Sequence, residues 1–596
     1  MQVRDVILWA VSIYTLAEPA RVRDTVPFDA PLPRFIAIGN NPDEGLHQTS
    51  QILPIKRHLP RSPILKKDTP FVLPTPIKHS VLVTWLAQYP NVSDAKILSN
   101  GFAKGFSLNY SGPRAPRDSG CLRSASQHPQ AVKDKLAKEI QLGRIAGPFR
   151  KRPFPNLQCS PIGLVPKREP NTFRLIHHLS FPYGSSINDD INKGMCTVHY
   201  ESFDKAVELV MKAGTPVWLA KADIKSAFRL LPVSPLDYGL LGFTFDGMFY
   251  FDKCMSMGCS ISCSLFEKFS SFLEYKVKQL ASTPLVTHYL DDFLFIGNSA
   301  SSCSRLMLTF TSMCSTLGVP LAPEKTVGPV KTIQYLGLQI DAVRKQIRVP
   351  PSKVSTTCQQ IHELLSKRKA TLVTLQSLLG SLNFLCKAIA PGRAFLRRLI
   401  ALTCGLKKPQ HTVRISKGAR LDLLLWLQFL VHFNGVSAFL GQQWESNEVV
   451  DLFTDAAAGV GFGAYFKGKW LQGRWSSDII QNPPSIAFLE LFPILVALLC
   501  WAPLLSNRKI LFDTDNIAVV YIINKQSSPC PRIMHLLRLM VLECLKYNVC
   551  FRAVHVPGVF NDIADSLSRF QMSRFHSLAP LADQIATPLP PLPMVW

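Results

Sequence analysis

Between Cys159 and about Val343 the apolar positions keep changing period. Runs of strand length alternate with stretches that repeat every three or four residues, which predicts an α/β or α+β domain. Just before it, HPQAVKDKLAKEIQLGRIAG (128–147) sets Val132, Leu136, Ile140 and Leu142 at helical spacing and ends in glycine. Residues 350–435 read as mainly helical, with apolar residues at intervals of three and four through KVSTTCQQIHELLSKRKATLVTLQSLLGSLNFLC. A second mixed segment runs from Val449 to about Phe570. In it VVDLFTDAAAGVGFGAYFKGKWLQGRW predicts three consecutive antiparallel strands, and SIAFLELFPILVALLCW one long apolar helix. KILFDTDNIAVVYIINK then predicts a strand and a helix, and FRAVHVPGVFNDIADSLSRF a strand, a loop and a helix. The two ends are proline-rich and weakly periodic. The expected division is an extended, partly disordered arm at 1–120, a mixed domain at 121–345, a helical segment at 346–445, a second mixed domain at 446–570 and a tail at 571–596.

A chain of 596 residues is too long for one core, and 47% hydrophobic with 18% charged residues describes a globular protein. The 66 Lys and Arg outnumber the 41 Asp and Glu, giving +25. That excess tilts the expectation toward a polyanionic partner, nucleic acid ahead of a membrane surface. Fifteen cysteines without a CxxC pair argue against a zinc knuckle or a disulfide framework, so an intracellular setting in cytoplasm or nucleus is expected, not a secreted one. The start, MQVRDVILWAVSIYTLAEPA, has a short apolar run, but Arg4 and Asp5 cancel and nothing downstream looks secreted. Phe488–Leu505 is interrupted by Glu490 and reads as short for a membrane span, so no membrane partner is expected.

Two adjacent acids, Asp291 and Asp292, stand in the otherwise apolar HYLDDFLFIG. The segment reads as strand, tight turn, strand. VWLAKADIKSAFRLLPV supplies another strand leading into Asp223, which adjacent strands could bring beside Asp291. Carboxylates held together in an apolar setting call for a hard cation, and Mg²⁺ is usual where phosphates are also ligands. Two such ions roughly 3.5–4 Å apart can activate a hydroxyl and stabilise a leaving pyrophosphate. Taken alone, the pair fits an ordinary hairpin turn equally well. Its neighbours decide.

ADIKSAF, YLDD, MSMGCSISCSLFEKF and VPKREPNTFR together resemble the ordered motifs of a reverse transcriptase. The resemblance implies Asp223 and Asp291 as principal metal ligands and Asp292 as a weaker one. It implies Lys167 (or Arg168, since the basic pair leaves the register open) and Arg174 as holders of the incoming triphosphate, roles suited to a point charge and a guanidinium fork. Phe228 falls where that family places an aromatic gate against the 2′-hydroxyl. Gly258 would permit close backbone approach to the template–nucleotide pair, Ser262 and Phe266 complete that motif, and Lys325 lies near the triphosphate. Met257, Cys263 and Ser226 depart from the commoner Gln, Pro and Asp.

Downstream, Asp455, Glu490, Asp515 and Asp565 occur in the order and settings of ribonuclease H, which they resemble. That implies a second pair of Mg²⁺ ions, or Mn²⁺, on one phosphodiester of an RNA strand. Asp513 competes with Asp515, which is preferred because a small polar residue, Asn516, follows it. His555, in the VPGVFN region, suits a proton shuttle to the product oxygen, with Asn561 orienting the loop.

The implied architecture is multidomain α+β and α/β: a right-hand polymerase with fingers and palm at 121–345 and a helical thumb or connection at 346–445, then a ribonuclease H-like mixed-sheet domain. SKRKA and APGRAFLRRLI in the helical segment would supply phosphate contacts. The implied partners are an RNA template, a DNA primer, the RNA–DNA hybrid and dNTPs. Over roughly residues 95–596, IQLGRIAGPF, FRLIHHLSFPYGSSIND, MGCSISC and the HVPG…NDIADSLSRF block resemble the polymerase–ribonuclease H proteins of DIRS/Ngaro-type retrotransposons. Such an element implies a separate tyrosine recombinase and, by analogy, a capsid-like partner. Two rivals remain: a catalytically silent, domesticated or decayed nucleic-acid-binding copy, and an RNA-copying RNA polymerase. Phe228 and the nuclease acids argue against the second.

Overall fold

The computed structural model describes residues 72–167, 171–433, 444–506, 508–547 and 549–591. The expectations for residues 1–71 and for Arg168 lie outside the described residues. The described chain forms two compact units that divide between Leu336 and Gly337.

In the first unit four antiparallel strands lie in the order Val286–Tyr289, Asp292–Gly297, Trp218–Asp223 and Val327–Val330. The second of these is buried from Phe293 to Gly297, which is why its sequence reads as a continuous apolar run instead of alternating. Helices Ser262–Ala281 and Ala300–Leu317 cover the sheet. Phe293 and Phe295 pack on Phe310 at ring separations of 4.6 and 5.0 Å, an arrangement that adds to simple area burial. Ser299 starts the second helix with a reciprocal bond to Ser302, satisfying two otherwise orphaned N–H groups. A smaller sheet joins Ile145–Phe149, Met248–Asp252 and Gly242–Phe245, and a hairpin pairs Ile162–Pro166 with Phe173–His177.

The arm expected at 1–120 needs correction over its described part. His79–Leu86 and Val92–Lys104 are helices, and Leu82, Leu86, Leu98, Phe102 and Phe106 are buried in the same core as the four-stranded sheet. Nearby prolines mask two short amphipathic helices that need this core to be stable.

In the second unit helices Pro351–Leu365, Leu372–Leu385 and Lys417–Gln428 belong to the same compact body as the strands that follow. Asp422 is fully buried, 3.5 Å from Arg398 and 3.6 Å from Arg538, and so links the helical segment to helix Pro531–Lys546. Arg398, in the APGRAFLRRLI segment, is therefore engaged internally. The boundary expected near residue 445 does not separate compact bodies here.

Leu452–Ala457, Gly461–Phe466 and Lys469–Arg474 form the predicted antiparallel sheet, while Lys509–Thr514 and Cys550–His555 pair in parallel. Ile486–Leu505 is long and apolar enough to cross a membrane by length and composition, contrary to the sequence reading, and 72% of its most apolar window is buried inside the unit. It packs on Pro531–Lys546. The expected tail also needs correction. Met572–Leu578 is a helix with Phe575 fully buried, and Trp470 is bracketed by bonds from its Nε1 to Asp583 O and from Thr587 N to its own carbonyl, both 2.7 Å.

Candidate catalytic sites

Strand pairing brings the first acids together. Asp223, the last residue of its strand, is the direct cross-strand partner of Asp292. Asp291 lies in the turn between Tyr289 and Asp292, and its carbonyl accepts from Ile224 N at 2.9 Å. The turn is forced by Leu290 at φ 52°, a left-handed conformation unusual for leucine. Asp223 is buried, and Lys325 Nζ contacts its Oδ2 at 2.8 Å. Ala322 N donates to Asp223 O at 2.8 Å, so the turn Pro323–Lys325 is pinned where its lysine reaches the acids.

Burial and the neighbouring Asp223 raise the Asp291 carboxyl, against the pull of Lys325 and Arg174. Burial pushes Asp292 from the ordinary 3.8 to about 6; Lys221 opposes that rise while Asp223 and Asp291 add to it. The acids thus repel one another and lack enough positive charge in the protein alone.

Lys167 and Arg174 are exposed on the Ile162–Pro166/Phe173–His177 hairpin; Arg174 is paired with Val165, and Lys167 N donates to Thr172 O at 2.8 Å. Phe228 is half-buried in the turn Ala227–Leu230 and meets Phe266 edge-on at 5.8 Å. The glycine motif is packed closely on its neighbours. A Cβ on Gly258 (φ 111°) would lie 2.0 Å from His177 O, so the end of strand Phe173–His177 already demands glycine here. Ser262 is buried with its hydroxyl donating to Ser256 O at 3.1 Å, so it shapes the loop and does not face a ligand.

The sequence reading missed what holds that loop. Arg229 bonds Asp252 at 2.7 Å and Glu139 at 3.0 Å, and Asp252 in turn contacts His177 Nδ1 at 3.0 Å. Burial alone would raise Asp252, but Arg229 and His177 outweigh it and hold the carboxyl below its usual range.

The second group gathers from four elements. Asp455 lies on Leu452–Ala457, Glu490 on Ile486–Trp501, Asp515 just after Lys509–Thr514 and Asp565 on Asp562–Ser568. Burial, with repulsion from Asp455 and Asp515, pushes Glu490 from the ordinary 4.5 to about 9. Burial raises Asp455 too; Ser568 opposes this, and Asp565 and Asp515 add to it. Asp565 is instead held low, because bonds from Arg569 (2.6 Å) and Arg574 (2.8 Å) outweigh its burial. Asp513 is raised by burial and is opposed by Asn447, not coupled to the other acids, which favours Asp515 as the fourth member. Asn516 caps the next helix, accepting from Ala518 N at 3.0 Å. His555 is exposed at its strand end, and Gly558 in the adjoining loop stands close to Asp515: a Cβ there would be 3.0 Å from its Oδ2.

Among the described residues no group of three or more His, Cys, Asp or Glu side chains is drawn close enough to hold an ion. Both clusters nonetheless fit a hard divalent cation by donor chemistry. Each offers carboxylate oxygens that burial and mutual repulsion leave short of positive charge, and in each an ammonium or guanidinium stands on an acid in a cation's stead.

The pH dependence follows from these shifts. The folded pKa of Glu490 exceeds its unfolded value, so the metal-free fold is favoured at low pH and loses this stability as pH rises from 4.5 through about 9. Asp292 acts in the same sense between 3.8 and about 6. A divalent cation should therefore raise the melting temperature more at pH 8.5 than at pH 6.0. An equal rise at both pH values, measured by thermal unfolding with and without Mg²⁺, would contradict the assignment of Glu490.

Residues 165–340 match the family model described as reverse transcriptase (RNA-dependent DNA polymerase), so the chain carries a reverse transcriptase domain. Its relatives include viral proteins. It is 25% identical over 205 residues to the Gag-Pro-Pol polyprotein of Human T-cell leukemia virus 3 (strain 2026ND), covering 33% of this chain and 14% of the relative. It is 24% identical over 230 residues to Protein P of Duck hepatitis B virus (strain China), covering 38% and 28%. The matched part thus spans a minor share of those longer proteins. Among solved structures, the foamy viral protease-reverse transcriptase dRH in complex with double-stranded DNA is similar at a TM-score of 0.48 and 14% identity, over 82% of this chain and 84% of that one. The foamy viral protease-reverse transcriptase in complex with RNA/DNA hybrid gives 0.44 and 14%, over 80% and 62%.

Proposed function

We propose that this chain is an RNA-directed DNA polymerase with a second, separate centre that cleaves the RNA strand of RNA–DNA hybrids. The observation that carries the reading is the register that sets Asp223 against Asp292, with Asp291 in the turn between strands. Asp223 and Asp291, with Asp292 as a weaker ligand, would hold divalent ions at one centre; Asp455, Glu490, Asp515 and Asp565 would hold them at the other. Two ions per centre, Mg²⁺ or Mn²⁺, would supply Lewis acidity and lower the pKa of the attacking hydroxyl or water.

The remaining steps belong to the chain's own groups. Lys167 and Arg174 steady the triphosphate from the hairpin, and Lys325, seated on Asp223, adds a point charge for phosphate. Phe228 limits space at the sugar. His555 delivers a proton to the departing 3′-oxygen of the cut RNA. Copying and degradation then follow in order on one hybrid. The motif resemblance supports a source in a DIRS/Ngaro-type element, with recombinase and capsid-like functions on other chains and an intracellular site of action.

Purified protein with an oligonucleotide-primed RNA template, Mg²⁺ and either dNTPs or NTPs tests the reading. DNA extension followed by RNA shortening is expected. NTP-only extension would indicate an RNA polymerase, and binding without either activity a silent copy. Phe228→Ala should raise ribonucleotide incorporation relative to dNTP by roughly tenfold or more, as expected when a steric contact is removed. An unchanged sugar preference would remove Phe228 from the gate.

A further inference from the structure

Ser568 ends the helix that carries Asp565, and nothing in the proposed chemistry uses it. It is fully buried, and its Oγ donates to Asp455 Oδ2 at 2.6 Å. The same oxygen lies 3.0 Å from the backbone carbonyl of Asp565. A buried serine near a helix end commonly satisfies itself on such a carbonyl alone. Here the charged acceptor is the nearer one, and a hydroxyl has a single proton to give. That proton commits one oxygen of Asp455 and leaves the other for a ligand. Because Ser568 also sits on the turn bearing Asp565, it couples the positions of two acids from different elements.

The sheet is built to admit this contact. Gly463 is the cross-strand partner of Asp455, and a Cβ there would fall 2.4 Å from Leu567 Cβ and 2.8 Å from Ser568 N. Only a residue without a side chain lets the helix end come this close. At the other end of the helix Asn561 Nδ2, also buried, donates to Thr454 O at 2.9 Å. Residues at both ends of one short helix thus hold consecutive residues of the strand that presents Asp455.

We propose that Ser568 is a positioning residue of the nuclease centre, fixing the Asp455 carboxylate relative to Asp565 so that the pair is set for a divalent cation. The inference rests on the ribonuclease reading. Groups that orient a ligand in this way typically change cation affinity by 10–100-fold when removed.

The test uses the full chain carrying Asp291→Asn, so that cation binding reports the downstream centre, with Mn²⁺ titrated by calorimetry before and after adding Ser568→Ala. Affinity should fall about tenfold. In the chain with Asp291 intact, Ser568→Ala should raise the Mg²⁺ concentration for half-maximal hybrid cleavage by a similar factor while primer extension keeps its own Mg²⁺ requirement. Unchanged Mn²⁺ affinity would overturn the role of Ser568, as would a parallel loss of primer extension, which would mark the serine as a general stabiliser. If the parent neither bound Mn²⁺ nor cut hybrid, the ribonuclease reading itself would fall.

Discussion

Asp291→Asn should abolish DNA synthesis, lowering primer extension by roughly 10³-fold or more, about 4 kcal/mol of transition-state stabilisation. The substitution keeps the size of the side chain and removes one negative charge from the turn that Leu290 forces into a left-handed conformation. Burial and Asp223 already raise the Asp291 carboxyl against the pull of Lys325 and Arg174, so the site holds this charge at a cost that a bound cation would offset. Cleavage of a preformed RNA–DNA hybrid should stay within about twofold of the parent, because its acids lie on other elements. Measuring extension and cleavage on one doubly labelled substrate checks both at once. Loss of both activities would contradict two independent centres.

Asp455→Asn should do the reverse. Asp455 is buried, is held by Ser568 and faces repulsion from Asp565 and Asp515, so the neutral amide removes the charge around which that cluster is built. Hybrid cleavage should fall by roughly 10³-fold while extension persists. RNA cut at the parent rate by the variant would show the nuclease centre to be misassigned.

What the sequence made legible was the arrangement of acids on strand ends. Asp223 closes a strand whose neighbour begins at Asp292, and the apolar runs leading into and out of these acids, read with the motifs around them, suggested their meeting. The four downstream acids were readable through their resemblance in order and setting to ribonuclease H; Glu490 is the lone acid on a helix buried on every face. Supporting contacts were not. Ser568 is an unremarkable serine three residues after Asp565, and only the fold shows that Gly463 clears its way to Asp455. Arg229 and Asp252 are far apart in the pattern of motifs and meet only because a strand and a turn pack together.

Motif position also misled at Ser262, whose hydroxyl is spent on Ser256 O. At both ends of the chain, proline content obscured local amphipathicity. Leu82 with Leu86 and Leu98 with Phe102 are four-residue repeats too short to stand out, and Phe575 is a single anchor in a seven-residue helix. Tertiary packing, not local periodicity, fixes those segments.

Crystals grown with Mn²⁺ and an RNA–DNA hybrid offer the most direct check, since anomalous scattering locates the ions without reference to activity. Two separate groups of peaks are expected, one between Asp223 and Asp291 and one among Asp455, Glu490, Asp515 and Asp565. Ions absent from either group of carboxylates in fully loaded crystals would contradict it.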